Sequence, residues 1–179
     1  MMTVLENHEL IAKISSHGAE AHSLYDKTTK TEYIWQGDKT YWSWHAPICF
    51  PITGRVHNDE YIFENKKYAL TVHGFARDYE FSLLKKTENS VIYELIYNDE
   101  SLKVYPFKFS LQLEYVLSEN GLQVNYTVKN LEDVNKDIFF ALGLHTAYNC
   151  PLEKTDNFED YELIFEQKET AKRHFLSNG

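Results

Sequence analysis

Phe107-Lys108-Phe109-Ser110-Leu111-Gln112-Leu113-Glu114-Tyr115 places an apolar side chain at every second position and a polar one between. Successive side chains of a strand point to opposite faces, so this stretch lays an apolar face on a core and a polar face toward water. Asn120-Gly121 follows, a pair suited to the positive φ angles of a tight hairpin turn. Beyond it Leu122, Val124, Tyr126 and Val128 alternate with Gln123, Asn125, Thr127 and Lys129, so the return strand has the same pattern. A hairpin with one continuous apolar face needs a second layer to cover it, which predicts packed antiparallel sheets.

Working outward, Tyr61-Ile62-Phe63 and Tyr68-Ala69-Leu70 flank the polar Glu64-Asn65-Lys66-Lys67, and Val91, Tyr93, Leu95 and Tyr97 alternate again beyond Glu88-Asn89-Ser90. No segment carries a long, capped helical stripe, and 13 Tyr with 11 Phe suit strands better than helices. The expected fold is mainly β, an antiparallel β-sandwich. No repeat, low-complexity tract or Pro/Gly-rich linker divides the sequence, and its 179 residues suffice for one core, so residues 1–179 are read as one domain.

No apolar run is long enough to span a bilayer, and Met1-Met2-Thr3-Val4-Leu5-Glu6-Asn7-His8-Glu9 lacks the basic segment and apolar core of a signal peptide. No membrane association is expected, and a cytoplasmic location is. A formal charge of −9 without a Lys/Arg cluster argues against nucleic acid as a partner. Cys49 and Cys150 have no metal-ligand spacing and are expected as free thiols.

Chemistry concentrates at two imidazoles, each placed where a strand-like run gives way to a loop. Ile138 to Leu144 is a nearly continuous apolar run, read as a strand buried on both faces. Alternation puts Ala141 and Gly143 on the side of His145, leaving volume beside the ring for a ligand. A core histidine bonded to a backbone carbonyl is the competing reading. His73 repeats the pattern more weakly, with Ala69 and Thr71 on its face, Gly74 next and Arg77 in the following loop. Arg55 sits in Phe50-Pro51-Ile52-Thr53-Gly54-Arg55, where Pro and Gly shape a turn, and its planar fork suits vicinal hydroxyls, carboxylate or phosphate. A solvated arginine or a structural salt bridge is the plain alternative. Trp35, Trp42 and Trp44 are read as core aromatics rather than as site residues. His8, His17, His22, His45, His57 and His174 form no His-Glu-x-x-His or close His-x-His pattern, so no metal is implied. Nor is there a phosphate loop or a nucleophile elbow.

Three blocks in order, Phe50-Pro51-Ile52-Thr53-Gly54-Arg55, His73-Gly74-Phe75-Ala76-Arg77 and Gly143-Leu144-His145-Thr146-Ala147-Tyr148-Asn149, resemble the galactose mutarotase-like aldose 1-epimerases, and Tyr105-Pro106-Phe107-Lys108-Phe109 adds a fourth. Thr146 departs from the proline usual there. The resemblance implies a galactose mutarotase-like supersandwich and an isomerase that interconverts the α and β anomers of a hexose. It implies His145 as general acid, with His73 and Arg55 holding sugar oxygens, and Arg77 and Asn149 as further substrate-binding positions. The substrate implied is a monosaccharide, an aldohexose or a hexose phosphate clamped by Arg55 and Arg77, and no cofactor is needed. Family members continue past the point matched by Ser177-Asn178-Gly179 into strands that carry a glutamate base, for which this sequence has no counterpart. An amino-terminal portion of such a protein is therefore expected, with reduced activity and self-association through exposed edge strands. A non-catalytic carbohydrate-binding module is the contrasting reading.

Overall fold

A computed structural model describes residues 1–153, 155–168, 170 and 172; His174 and the Ser177-Asn178-Gly179 terminus, both noted in the sequence, lie outside the described residues. Its strands are β1 (Met2–Glu6), β2 (Leu10–Ser15), β3 (Ala21–Asp26), β4 (Thr31–Glu32), β5 (Ile48–Cys49), β6 (Glu60–Phe63), β7 (Lys66–Ala69), β8 (Ser82–Lys86), β9 (Ser90–Ile96), β10 (Phe109–Ser118), β11 (Gly121–Asn130) and β12 (Gly143–Leu144). The fold is a mainly β antiparallel sandwich, with two four-stranded sheets ordered β1-β2-β3-β4 and β11-β10-β9-β8. Two short ribbons, β12-β5 and β6-β7, accompany them. Among the described residues the one α-helix is α1 (Asp99–Val104), capped by Asn98, and no helix is long and apolar enough to cross a membrane.

The chain divides into two compact units, Met1–Asn149 and Cys150–Gly179. In the second, Tyr161 Oη donates to Asp156 and accepts from the Leu152 backbone N–H at 3.0 Å, around the short turn Phe158–Asp160. All the candidate site residues belong to the first.

The alternation read in the β10 region is realised: Phe109, Leu111, Leu113, Tyr115 and Leu117 are buried while Gln112, Glu114 and Val116 are only partly so. The strands pair from Phe109↔Asn130 to Ser118↔Gly121, so the loop is Glu119-Asn120, one residue earlier than the Asn120-Gly121 expected, and Gly121 opens β11 at φ +140°. The β6-β7 ribbon turns on Glu64 and Asn65, both at positive φ, the twist-compatible hairpin geometry. Leu5, Ala12 and Ile14 from one sheet join Val91, Tyr93, Leu111 and Tyr115 from the other in one apolar cluster. Two buried hydroxyls there are satisfied, Tyr93 with Thr3 Oγ1 at 2.6 Å and Tyr115 donating to the Ala19 carbonyl at 2.6 Å. Among the described residues β11 and β8 end one sheet and β1 and β4 the other.

The reading of Ile138–Leu144 as a doubly buried strand is corrected. Only Gly143–Leu144 is strand, it is not buried, and Phe139 (64%), Phe140 (45%) and Leu144 (39%) are exposed. The stretch still runs antiparallel to residues 45–51: Ala141 donates to Pro51, His145 to Pro47 and Ala147 to His45, at 2.8–3.0 Å. Pro47 and Pro51 have no N–H to return the bond, and the His45 N–H goes instead to Glu20 at 2.7 Å. Outside the Gly143↔Cys49 pair of the β12-β5 ribbon, the ladder is therefore one-sided.

Candidate active site

The segment 45–51 is what brings the distant histidines together. On one side it carries the ladder that includes His145. On the other, the Phe50 N–H donates to the His73 carbonyl at 3.1 Å, and the Phe50 carbonyl accepts from Phe75 and Ala76 at 3.0 and 3.2 Å. Gly74 bridges Phe50, and a Cβ there would lie 2.2 Å from the Phe50 carbonyl oxygen. The absence of that atom lets the two segments meet.

His73 is not at the end of a strand, as alternation with Ala69 and Thr71 implied: β7 stops at Ala69 and His73 turns at φ +65°. The ring meets the turn that follows β5, where Nδ1 accepts from the Gly54 N–H at 3.1 Å. In the neutral ring the proton then sits on Nε2, the donor left for a ligand. Burial, with the positive charges of Arg77 and His145 beside it, holds the His73 pKa below the ordinary imidazole value. The sign follows directly, since a depressed pKa keeps the ring neutral at pH 7 and moves its protonation to more acid conditions. In a pH titration of the imidazole proton resonances, His73 should change state below about 6.5; a midpoint at or above that value would contradict this environment.

The His73 and His145 rings meet edge to face with centroids 5.5 Å apart. His145 is exposed, and Trp42 lies over it at 5.0 Å, tilted by 36°. Arg77 lies close to His73: its guanidinium stacks on Trp44 at 5.0 Å and Nη2 donates to the Val72 carbonyl at 3.0 Å. The tryptophans expected in the core are only partly buried. They belong to the loop before residues 45–51, tied by the Trp35 Nε1 bond to the Trp42 carbonyl at 2.8 Å. Core packing is the usual fate of three clustered indoles, and no local signal separates these from it.

The other two predicted positions are engaged elsewhere. Arg55 is exposed and forks onto Asp59, with Nε to Oδ1 and Nη2 to Oδ2 both at 2.6 Å. Asn149 spends its amide hydrogens on the carbonyls of Glu32 and Ile34 at 2.7 and 3.1 Å, leaving Oδ1 as its free side-chain acceptor. A cavity of about 320 Å³ between Pro51, Tyr61, Phe63 and Phe107 is apolar and is lined by neither histidine. Cys49 is a free buried thiol, pushed up in pKa by burial, and Cys150 is free and exposed.

Comparison with known proteins bears on this arrangement. A family profile described as aldose 1-epimerase matches residues 1–174. The plasmid and chromosomal forms of Protein LacX from Lactococcus lactis subsp. lactis are each 36% identical over 176 residues, 95% of this chain and 58% of theirs. Among solved structures, a galactose mutarotase related enzyme from Lactobacillus acidophilus is 40% identical with a TM-score of 0.86, over 89% of this chain and 53% of that one. A galactose mutarotase-like protein from Lactobacillus casei ATCC 334 is 43% identical with a TM-score of 0.80, over 86% and 52%. The chain thus spans a little over half the length of these relatives.

Proposed function

This chain belongs to the aldose 1-epimerase family, and from that premise we propose that the His73–His145 pocket holds a free aldohexose and supplies the acid side of its interconversion between α and β anomers. The observation that carries the reading is the approach of the two imidazoles to 5.5 Å from distant parts of the chain. The family match spans both compact units, which supports treating residues 1–179 as part of one family domain.

Anomer exchange by ring opening requires a proton delivered to the ring oxygen and another removed from the anomeric hydroxyl. The aldehyde then rotates about C1–C2 and closes on its other face. An imidazole is suited to the first transfer because its ordinary pKa of about 6.5 permits either proton direction near neutrality. His145, exposed beneath Trp42, is the general acid, and the indole offers a flat face to the sugar's C–H groups. His73, neutral and with Nδ1 held by Gly54, donates Nε2–H to a sugar oxygen. Arg77, beside His73, completes the polar rim, whereas Arg55 is held by Asp59 and Asn149 by two backbone carbonyls. Proton transfer of this kind needs no cofactor. No residue of this sequence matches the family's glutamate, so the removal of the anomeric proton is assigned to none of the residues named here, and mutarotation is proposed of the complete protein.

The bidentate fork of Arg55 onto Asp59 favours an uncharged sugar over a 6-phosphate, because that guanidinium already has a carboxylate partner. Polarimetry on a freshly dissolved single anomer tests this. The complete protein should speed the approach to the equilibrium rotation for a free aldohexose more than for its 6-phosphate. A rate no faster than buffer for both, with sugar still bound, would replace the epimerase by a non-catalytic binding module.

A further inference from the structure

Distinct from the His73–His145 pair, the residues around the start of β3 and the first residue of the 45–51 segment assemble a second polar cluster from Glu20, His22 and His45. Glu20 is buried, with 5% of its surface exposed. Its Oε1 accepts from the backbone N–H groups of His45 and Ala46 at 2.7 and 2.9 Å. Its Oε2 is turned to the imidazoles, 3.1 Å from His22 Nε2 and 3.9 Å from His45 Nδ1. His45 Nδ1 is itself buried and has no hydrogen-bond partner. One ligand-capable atom from each residue lies within 4.8 Å of the others, on a cleft also lined by Ser15, His17, Ser43 and Trp44.

A buried nitrogen aimed at a buried carboxylate without a bond between them is a costly arrangement for a structural contact alone. We propose that Glu20, His22 and His45 form a binding site for a divalent transition metal of the zinc class. Two imidazole nitrogens and one carboxylate oxygen suit such an ion, whereas calcium and magnesium favour oxygen ligands throughout. Tetrahedral bonds of about 2.0–2.1 Å set ligand atoms about 3.3 Å apart, and the present 3.1 and 3.9 Å lie on either side of that spacing. The rings now stack at 3.9 Å and 10°. Because an ion lies in the plane of the imidazole that binds it, loading turns one ring out of the stack. His22, whose side chain is 28% exposed, is the ring with room to move. The fourth position faces the cleft and is filled by water. Carboxylate hydrogen bonds already fix Glu20 from its other oxygen, which is how metal ligands are commonly held in orientation. The site involves none of the proposed sugar-binding residues, so it stands or falls separately from the epimerase reading.

The test is calorimetric titration of the metal-free protein with zinc chloride, alongside His22→Ala, His45→Ala and the double variant, each checked for an unchanged circular dichroism spectrum. One ion per chain is expected, with each single variant weakening binding by about tenfold or more. Cobalt(II) added to the unmodified protein gives a second readout that no variant's folding can confuse: the intense visible bands of a four-coordinate ion should appear and be displaced by zinc. Absence of those bands, or equal zinc affinity in the unmodified protein and the double variant, would overturn the proposal.

Discussion

His145→Ala should lower the turnover of mutarotation in the complete protein by about 10²–10⁴-fold while weakening sugar binding much less. The loss is assigned to proton delivery because the side chain is exposed and takes no part in the apolar core. Its backbone is held independently, by the N–H bond to the Pro47 carbonyl at 3.0 Å, so truncation leaves the ladder in place. Polarimetry over a range of sugar concentrations separates the two effects. A fall in kcat with KM nearly unchanged is expected, whereas an unchanged kcat would remove His145 from the chemistry.

Gly74→Ala carries the largest expected effect on stability. Its φ of +73° costs a side-chain-bearing residue about 1–2 kcal/mol. The added Cβ would also meet backbone on the facing segment, 2.2 Å from the Phe50 carbonyl oxygen and 2.7 Å from the Pro51 nitrogen. Backbone cannot swing aside as a flexible side chain does, and forced overpacking adds about 1–3 kcal/mol. A combined loss of about 3 kcal/mol or more should appear as a lower urea midpoint. The Phe75 and Ala76 bonds to Phe50 lie in the path of the displacement, so the His73–His145 approach should loosen as well. A loss under about 1 kcal/mol would mean that the two segments separate easily and that the glycine is not what joins them.

How much of this was legible beforehand depends on which physical signal each element carries. The β10–β11 hairpin declared itself because period-two alternation runs along both ten-residue strands, with burial following it on β10 and only partial burial on β11. Residues 138–144 misled because an apolar run predicts burial without saying what covers it, and because Pro47 and Pro51 on the facing segment each remove a return bond. The two histidines could be singled out by their small neighbours, but their contact depends on a third segment, 45–51, that pairs with both and bears no mark of doing so. His73 at positive φ was hidden for a related reason, since the need for that turn comes from Phe50 rather than from local sequence. The partners of Arg55 and Asn149, namely Asp59 and two backbone carbonyls, follow from loop geometry that residue type does not encode. Glu20, His22 and His45 escaped a motif search because the third ligand comes from a distant loop.

The central claim is that His73 and His145 together line a sugar site, and the measurement closest to it is a titration of free aldohexose into the protein, followed through its imidazole proton resonances. Both rings should shift along one saturable curve, while the exposed His8, remote in role, stays fixed. Resonances of His73 and His145 that remain unmoved at saturating sugar, or that move no more than that of His8, would contradict the account.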